Sequence, residues 1–138
     1  MLLENARMNH ACVALLELSQ HWETGELVKT KDISRENSLS HKYLTQILLQ
    51  LRSAGLVVSV RGSRGGFRLA RHPREITLWD VFQAVESAAR EGREGKAAPR
   101  EGQRLLASVW REAAGGVRET LEKYTFEDLR TAAQVYHI

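Results

Sequence analysis

Cysteine is nearly absent from this chain of 138 residues: the one thiol, Cys12, leaves no intrachain disulfide to form. Long apolar runs are missing too. None approaches the roughly 18 residues needed to span a bilayer, and the opening MLLENARMNH does not have the layout of a signal peptide, so a cytosolic protein is expected. His10, His21, His41, His72 and His137 show no metal-ligand spacing. His10 and Cys12 are two positions apart and do not share a helix face. The first helical stretch places Cys12 near its apolar side, where a free cysteine acts as a small core hydrophobe. No Ser/His/Asp, Cys/His or paired-carboxylate arrangement stands out, which argues against an enzyme. No internal repeat is seen.

What is present is an ordinary globular composition, 43% hydrophobic and 27% charged. The length suits one domain with a core, or a small domain plus a dimerisation helix. The net charge of +3 hides an asymmetry. From Lys29 to Arg74 there are ten Lys and Arg against Asp32 and Glu36, a net of +8, which leaves the remainder at −5. A basic block of this kind is expected at a phosphate-binding surface.

The most telling stretch is Ser38 to Ala70, SLSHKYLTQILLQLRSAGLVVSVRGSRGGFRLA. Upstream, Asn5 to Gln20 reads as a helix with Ala11, Ala14, Leu15 and Leu18 on one face. Trp22 to Gly25 breaks the pattern. Lys31 to Asn37 reads as a short second helix with Thr30 as N-cap and Ile33 inward. After a turn at Ser38-Leu39-Ser40, a third helix runs from Ser40 to Ser53. Leu44, Ile47, Leu48 and Leu51 form its buried stripe, and Gly55 sits at the left-handed C′ position. Leu56 to Val60 and Phe67 to Ala70 read as paired strands, with Gly62, Gly65 and Gly66 permitting positive φ in the reversal. Helix, turn, helix and hairpin together predict a winged helix-turn-helix.

Thr77-Leu78-Trp79-Asp80 forms a capping box that opens a fourth helix with the stripe Leu78, Val81, Phe82 and Val85. Residues 88–103 read as a loop rich in Gly and charge, about sixteen residues long. Arg104 to Tyr124 reads as a long helix carrying Leu106, Val109, Ala113, Val117 and Leu121 in register. Gly115-Gly116 suggests a kink or a close helix approach there. Thr125 to Asp128 caps a short last helix. The expected fold class is mainly α with a small β-hairpin wing. The organisation is a DNA-binding domain at 1–87, the loop at 88–103, and a dimerisation helix with C-terminal helix at 104–138.

In a helix-turn-helix the second helix enters the major groove, and its first residues contact base edges. Here these are Ser40, His41, Lys42, Tyr43 and Gln46. Gln46 suits bidentate contact with adenine, Lys42 suits phosphate, and Ser38 or Ser40 can cap the helix or contact phosphate. At the hairpin, Arg61, Ser63, Arg64, Gly65 and Gly66 form a narrow basic tip, with Arg68 on the return strand. An Arg on such a tip can enter the minor groove. Trp79 and Phe82 read as core, though a small pocket beside the fourth helix could hold an effector. Trp110 reads as dimer core.

These residues resemble the Rrf family of winged-helix transcription regulators, of the IscR/NsrR/CymR type. The resemblance rests on ACVALLELS, DIS, YLTQILLQLRSAGLV, SVRGSRGGFRLA, ITLWDVFQAVE and VWREAAGGVRETLEKYTFEDL, and covers most of the chain. It implies a homodimer built on Leu106, Val109, Trp110, Val117 and Leu121, binding double-stranded DNA at a pseudo-palindromic operator. The recognition helix is then Ser40 to Gln50 and the wing Arg61 to Gly66. The chain departs from the pattern twice. Sensing members carry three cysteines that hold an iron–sulfur cluster in the loop after the fourth helix, whereas residues 88–103 have none, so no such cofactor is expected. The family's basic N-terminal Lys-Gly-Arg is replaced by Arg7-Met8-Asn9, which weakens the case for one phosphate contact. The reading is a transcriptional regulator, expected to repress because it would occlude promoter DNA. The rival readings are a protein-interaction regulator of the cluster-free, enzyme-partnered type, and a regulator answering to a small molecule or protein effector.

Overall fold

The computed structural model describes residues 5–90 and 100–136. In chain order the elements are α1 (Ala6–Gln20), α2 (Thr30–Asn37), α3 (His41–Ser53), β1 (Val57–Val60), β2 (Gly66–Leu69), a 3₁₀ turn (Pro73–Glu75), α4 (Leu78–Arg90), α5 (Glu101–Leu121) and α6 (Phe126–Tyr136). This is a winged helix-turn-helix followed by two further helices, mainly helical with one hairpin, as the sequence predicts.

Local chemistry sets most helix starts. The Asn5 side chain accepts from the Met8 N–H at 2.8 Å and opens α1. Thr77 and Asp80 cap α4 reciprocally, with bonds of 2.9 and 3.2 Å, and Thr125 and Asp128 repeat the motif on α6 at 3.0 and 3.1 Å. The predicted inward stripes meet in one core: Ala11, Ala14, Leu15 and Leu18 of α1, Ile33 of α2, Leu44, Ile47, Leu48 and Leu51 of α3, and Val81, Phe82 and Val85 of α4 are buried.

Several boundaries differ from the sequence reading. Thr30 is the first residue of α2 rather than its cap. The cap position is Lys29, which makes no side-chain capping bond. The reason lies just upstream, where Val28 is pinned to Phe67 by two backbone bonds of 2.9 Å, so the chain turns directly from that bridge into the helix. The bridge also lays a third extended segment beside the two-stranded wing, whose register runs from Val57↔Leu69 to Val60↔Gly66. Leu56 therefore precedes β1, and β2 begins one residue earlier than Phe67.

The stretch read as a loop, 88–103, is helical at both of its described ends. α4 extends to Arg90 and α5 begins at Glu101, because the Gln103 side chain accepts from the Arg100 N–H at 3.0 Å and starts the helix early. The rest of that loop lies outside the described residues, as does His137. α5 ends at Leu121 rather than Tyr124 and stays a single helix through Gly115-Gly116.

α6 turns back and packs on α1. Phe126 is fully buried. Thr77 and Thr125 form an antiparallel bridge, with Leu78 N–H donating to Tyr124 O at 3.0 Å and Phe126 N–H to Ile76 O at 2.9 Å. The Arg130 guanidinium, only 10% exposed, reaches Glu127 at 2.6 Å, Glu23 at 3.2 Å and the Ser19 carbonyl at 3.2 Å. Its hydrogen bond to Glu127, opposed by burial, raises it above the ordinary arginine value. α6 is thus fastened to the winged body at several points.

Candidate nucleic-acid interface

The turn before α3 is held by local bonds. Ser38 takes the left-handed conformation (φ 54) and ends α2. Leu39 N–H donates to the Ser34 carbonyl at 3.1 Å, and the Ser34 hydroxyl donates to the Leu39 carbonyl. Ser40 caps α3 by accepting from Tyr43 N–H at 3.1 Å. Burial of Leu44, Ile47, Leu48 and Leu51 fixes the helix's rotation, and that leaves Ser40, His41, Lys42 and Gln46 exposed on its outer side. Ser38 is exposed beside them.

Tyr43 is placed differently from the other predicted reading residues. It is half-buried, its hydroxyl is 2.8 Å from His10 Nδ1, and the two rings meet edge-on at 5.3 Å. The Arg7 guanidinium lies 5.9 Å from the Tyr43 ring centroid, and its Nε donates to Gln50 Oε1 at 3.2 Å. Arg7 and His10 thereby brace α3 against α1. No local pattern marks this contact, since His10 and Tyr43 are 33 positions apart.

The wing tip, Arg61 to Arg64, is exposed. Gly62 turns it at φ 107. Gly65 does not take positive φ as the sequence reading allowed. Its requirement is space, because a Cβ there would lie 2.0 Å from the Val60 carbonyl oxygen. Arg68 projects from β2 and is exposed. The tip is tethered to the body by Lys29, whose Nζ donates to the Ser63 carbonyl at 2.8 Å. An open groove of about 460 Å³ runs between α2, the start of α3 and the wing, and it is lined by Lys29, Lys31, His41 and Arg61 among others. Lys29 and Lys31 were legible only as part of the basic block. Their place beside the wing follows from the Val28–Phe67 bridge.

The face predicted for dimerisation divides. Leu106 (54%), Val109 (48%) and Trp110 (66%) are exposed, as is Leu105 (69%). Val117 is half-buried, and Leu121, also half-buried, packs on the chain's own core, so Leu121 is not a free interface residue. Its position one turn before the tightly bound α5–α6 corner draws it inward.

A family model described as Rrf2: Iron-dependent Transcriptional regulator matches residues 5–132. The HTH-type transcriptional regulator IscR of Aliivibrio salmonicida is 33% identical over 131 residues, covering 94% of this chain and 77% of the relative. The solved structure of T. potens IscR superposes with a TM-score of 0.75 at 31% identity, over 99% of this chain and 92% of that one. CymR, the global cysteine regulator of B. subtilis, superposes with a TM-score of 0.72 at 28% identity, over 96% and 98%.

The residues of this chain do not fit a thiolate-held iron cluster, which takes several cysteine ligands. Cys12, the sole cysteine, is in α1 rather than the α4–α5 connection. Burial pushes its thiol up to about 11, away from the thiolate form that binds metal. Among the described residues no group of three or more His, Cys, Asp or Glu side chains is placed to hold a metal ion, and no helix is long and apolar enough to cross a membrane.

Proposed function

The chain belongs to the Rrf2 family of transcriptional regulators, and from that premise we propose that it is a repressor that binds a pseudo-palindromic operator as a homodimer. The reading rests above all on one observation. The exposed face of a Ser40-capped α3 and an arginine-tipped wing share a segment of net charge +8, in a chain whose remainder is −5. Two copies present two such heads, and α3 of each enters successive major grooves about one turn, or a multiple, apart. Gln46 reads a base edge; Ser40, His41 and Lys42 contact the adjoining backbone and bases; Ser38 contacts phosphate. Arg61, Ser63, Arg64 and Arg68, held on the turn of Gly65 and Gly66, contact the flanking minor groove and its phosphates. Lys29 and Lys31 add phosphate contacts along the groove beneath the wing. Tyr43 acts through its position: tied to His10, it sets the angle of α3. The exposed Leu106, Val109, Trp110 and neighbouring Val117 of α5 are covered by the second copy. Repression follows from occupancy, since a dimer spanning two grooves excludes polymerase from the same DNA. Its relatives are bacterial, and a regulator of bacterial chromosomal DNA acts in the cytoplasm.

The test is duplex binding over a salt series with an operator library. Log affinity falls with log salt by about 0.9 per neutralised phosphate, so several contacts give a steep slope. Lys42→Ala weakens all sequences alike and lowers the slope by about one. Gln46→Ala instead relaxes preference at one base pair per half-site, by about 1–3 kcal/mol, and leaves the slope alone. A flat salt response sinks the DNA reading. Indistinguishable library profiles for the two variants sink the assignment of roles.

A further inference from the structure

Among the described residues, α5 is held to the winged body at one end. Over its 21 residues none is buried, and exposure is unbroken from Glu101 to Gly116. Attachment to the winged body is concentrated in the last turns, where Leu121 packs on the core and the chain enters the Thr77–Thr125 bridge. The Arg118 guanidinium lies 5.6 Å from the centroid of Trp79, and its Nε donates to Glu122 Oε1 at 2.6 Å. Trp79 in turn stacks on Phe82 with centroids 5.5 Å apart and planes 20° apart. Phe82 is part of the winged core. A continuous stack therefore runs from that core, through Trp79 on α4, to a cation on α5 at the point where its exposed length begins.

We infer that the Phe82–Trp79–Arg118–Glu122 stack fixes the angle at which α5 leaves the winged body, and so sets which half-site separation the protein accepts. The inference rests on the dimeric operator reading above. A helix of 21 residues is about 31 Å long. If two copies join through α5, a tilt of about 10° at its base displaces the winged body by about 5 Å over that lever. Successive base pairs are only about 3.4 Å apart. A loose base thus blurs half-site spacing by more than one base pair, with no change in the residues that read bases. Trp79 and Arg118 are positioning residues: they touch no DNA, and they select its geometry. A cation over an aromatic face and a parallel aromatic pair are both orientation-dependent contacts, which suits them to fixing an angle rather than merely burying area.

The experiment is binding to duplexes carrying the same two half-sites at separations stepped one base pair at a time. Wild type prefers one separation. In Arg118→Met the advantage of that separation over its neighbours falls by about 3- to 10-fold, while the base preference within each half-site is unchanged. Arg118→Lys, which keeps a cation near Trp79, restores most of the preference. Trp79→Leu matches or exceeds Arg118→Met. Arg118 is 59% exposed, so its loss does not endanger folding even where that of Trp79 does. A readout without DNA runs in parallel: spin labels on Ser63→Cys in a Cys12→Ala background report the wing-to-wing distance, and Arg118→Met broadens that distribution. An unchanged spacing profile in both variants overturns the inference, and so does an equal loss at every separation. If wild type is a monomer by light scattering, or binds paired half-sites no better than single ones, the dimeric reading fails first and the inference falls with it.

Discussion

Trp110→Glu, alone or with Leu106→Arg, is expected to turn a dimer into a monomer and to lower affinity for the full operator by about 10²- to 10⁴-fold, leaving single half-site binding almost intact. In the isolated chain Leu105, Leu106, Val109 and Trp110 are 69, 54, 48 and 66% exposed, all on one helix. Together with Ala113 and Val117 they follow helical spacing and form one continuous stripe. Scattered surface apolar residues need no explanation, but a contiguous stripe rarely stays open to water. The helix also cannot account for itself. It carries Gly102, Gly115 and Gly116, each costing about 1 kcal/mol against Ala, and has no fully buried residue within its own chain. A helix with that composition gains its stability from packing, and in the proposed dimer the second copy supplies it. Covering each large side chain contributes about 1.5–3 kcal/mol, and a carboxylate set into the same interface reverses the sign. Loss of the second head removes the intramolecular second binding step, hence the large effect on paired half-sites and the small one on single sites. Arg104→Glu, on the opposite side of the helix, is the matched charge control and leaves mass and affinity nearly unchanged. Sedimentation and operator titration check both. A Trp110→Glu protein that stays dimeric, or binds the full operator at wild-type strength as a monomer, removes α5 as the joint.

The features legible in the sequence are those decided within about one helical turn or one hairpin. Ser40 caps α3 because its oxygen reaches an N–H three residues on, and Thr77/Asp80 and Thr125/Asp128 do the same. Gly55 closes α3 because only a positive φ, here 77, lets the chain turn into β1. The apolar stripes fixed which sides of α3 and α4 faced inward, and so which polar residues were left outside. What escaped the sequence depends on partners far along the chain. Val28 joins Phe67, Lys29 joins Ser63, His10 joins Tyr43, and Thr77 joins Thr125; no local pattern marks either member of these pairs. Each such contact moved an expectation. The Val28 bridge displaced the start of α2 and drew Lys29 and Lys31 under the wing. His10 ties the hydroxyl of Tyr43 back to α1. Beside the Thr77–Thr125 bridge, Leu121 is half-buried against the core rather than exposed with the rest of the stripe. The misfit to a thiolate-held cluster is legible in another way, from composition, since one cysteine supplies one thiolate.

Gly65→Ala is expected to weaken operator binding by about 10- to 100-fold while the core stays folded, because the new methyl group would strike the backbone of the hairpin. Its Cβ would lie 2.0 Å from the Val60 carbonyl oxygen, 2.8 Å from the Arg61 carbonyl carbon and 2.9 Å from that of Val60. All three are backbone atoms, so no side chain can swing aside. Relief requires opening the end of the hairpin, which breaks the Val60↔Gly66 pairing and the 2.9 Å bond from Gly65 N–H to the Gly62 carbonyl. Overpacking of this kind costs about 1–3 kcal/mol. Leu56, Val57 and Leu69 remain buried at the base of the hairpin, so the damage is confined to the tip and the thermal midpoint falls by only a few degrees. The tip is where Arg61 and Arg64 are aimed. Displacing both removes two charge-assisted contacts, each worth about 1 kcal/mol or more with DNA. Gly62→Ala gives the contrast. Its Cβ would meet nothing within 4 Å, and its φ of 107 brings strain without a collision, so the tip keeps its course and binding falls less. The double variant Arg61→Ala/Arg64→Ala should reproduce the affinity loss of Gly65→Ala with no loss of thermal stability, since both side chains are exposed. Wild-type affinity in Gly65→Ala, or a double-arginine variant that binds as well as wild type, would show that the wing does not carry the flanking contact.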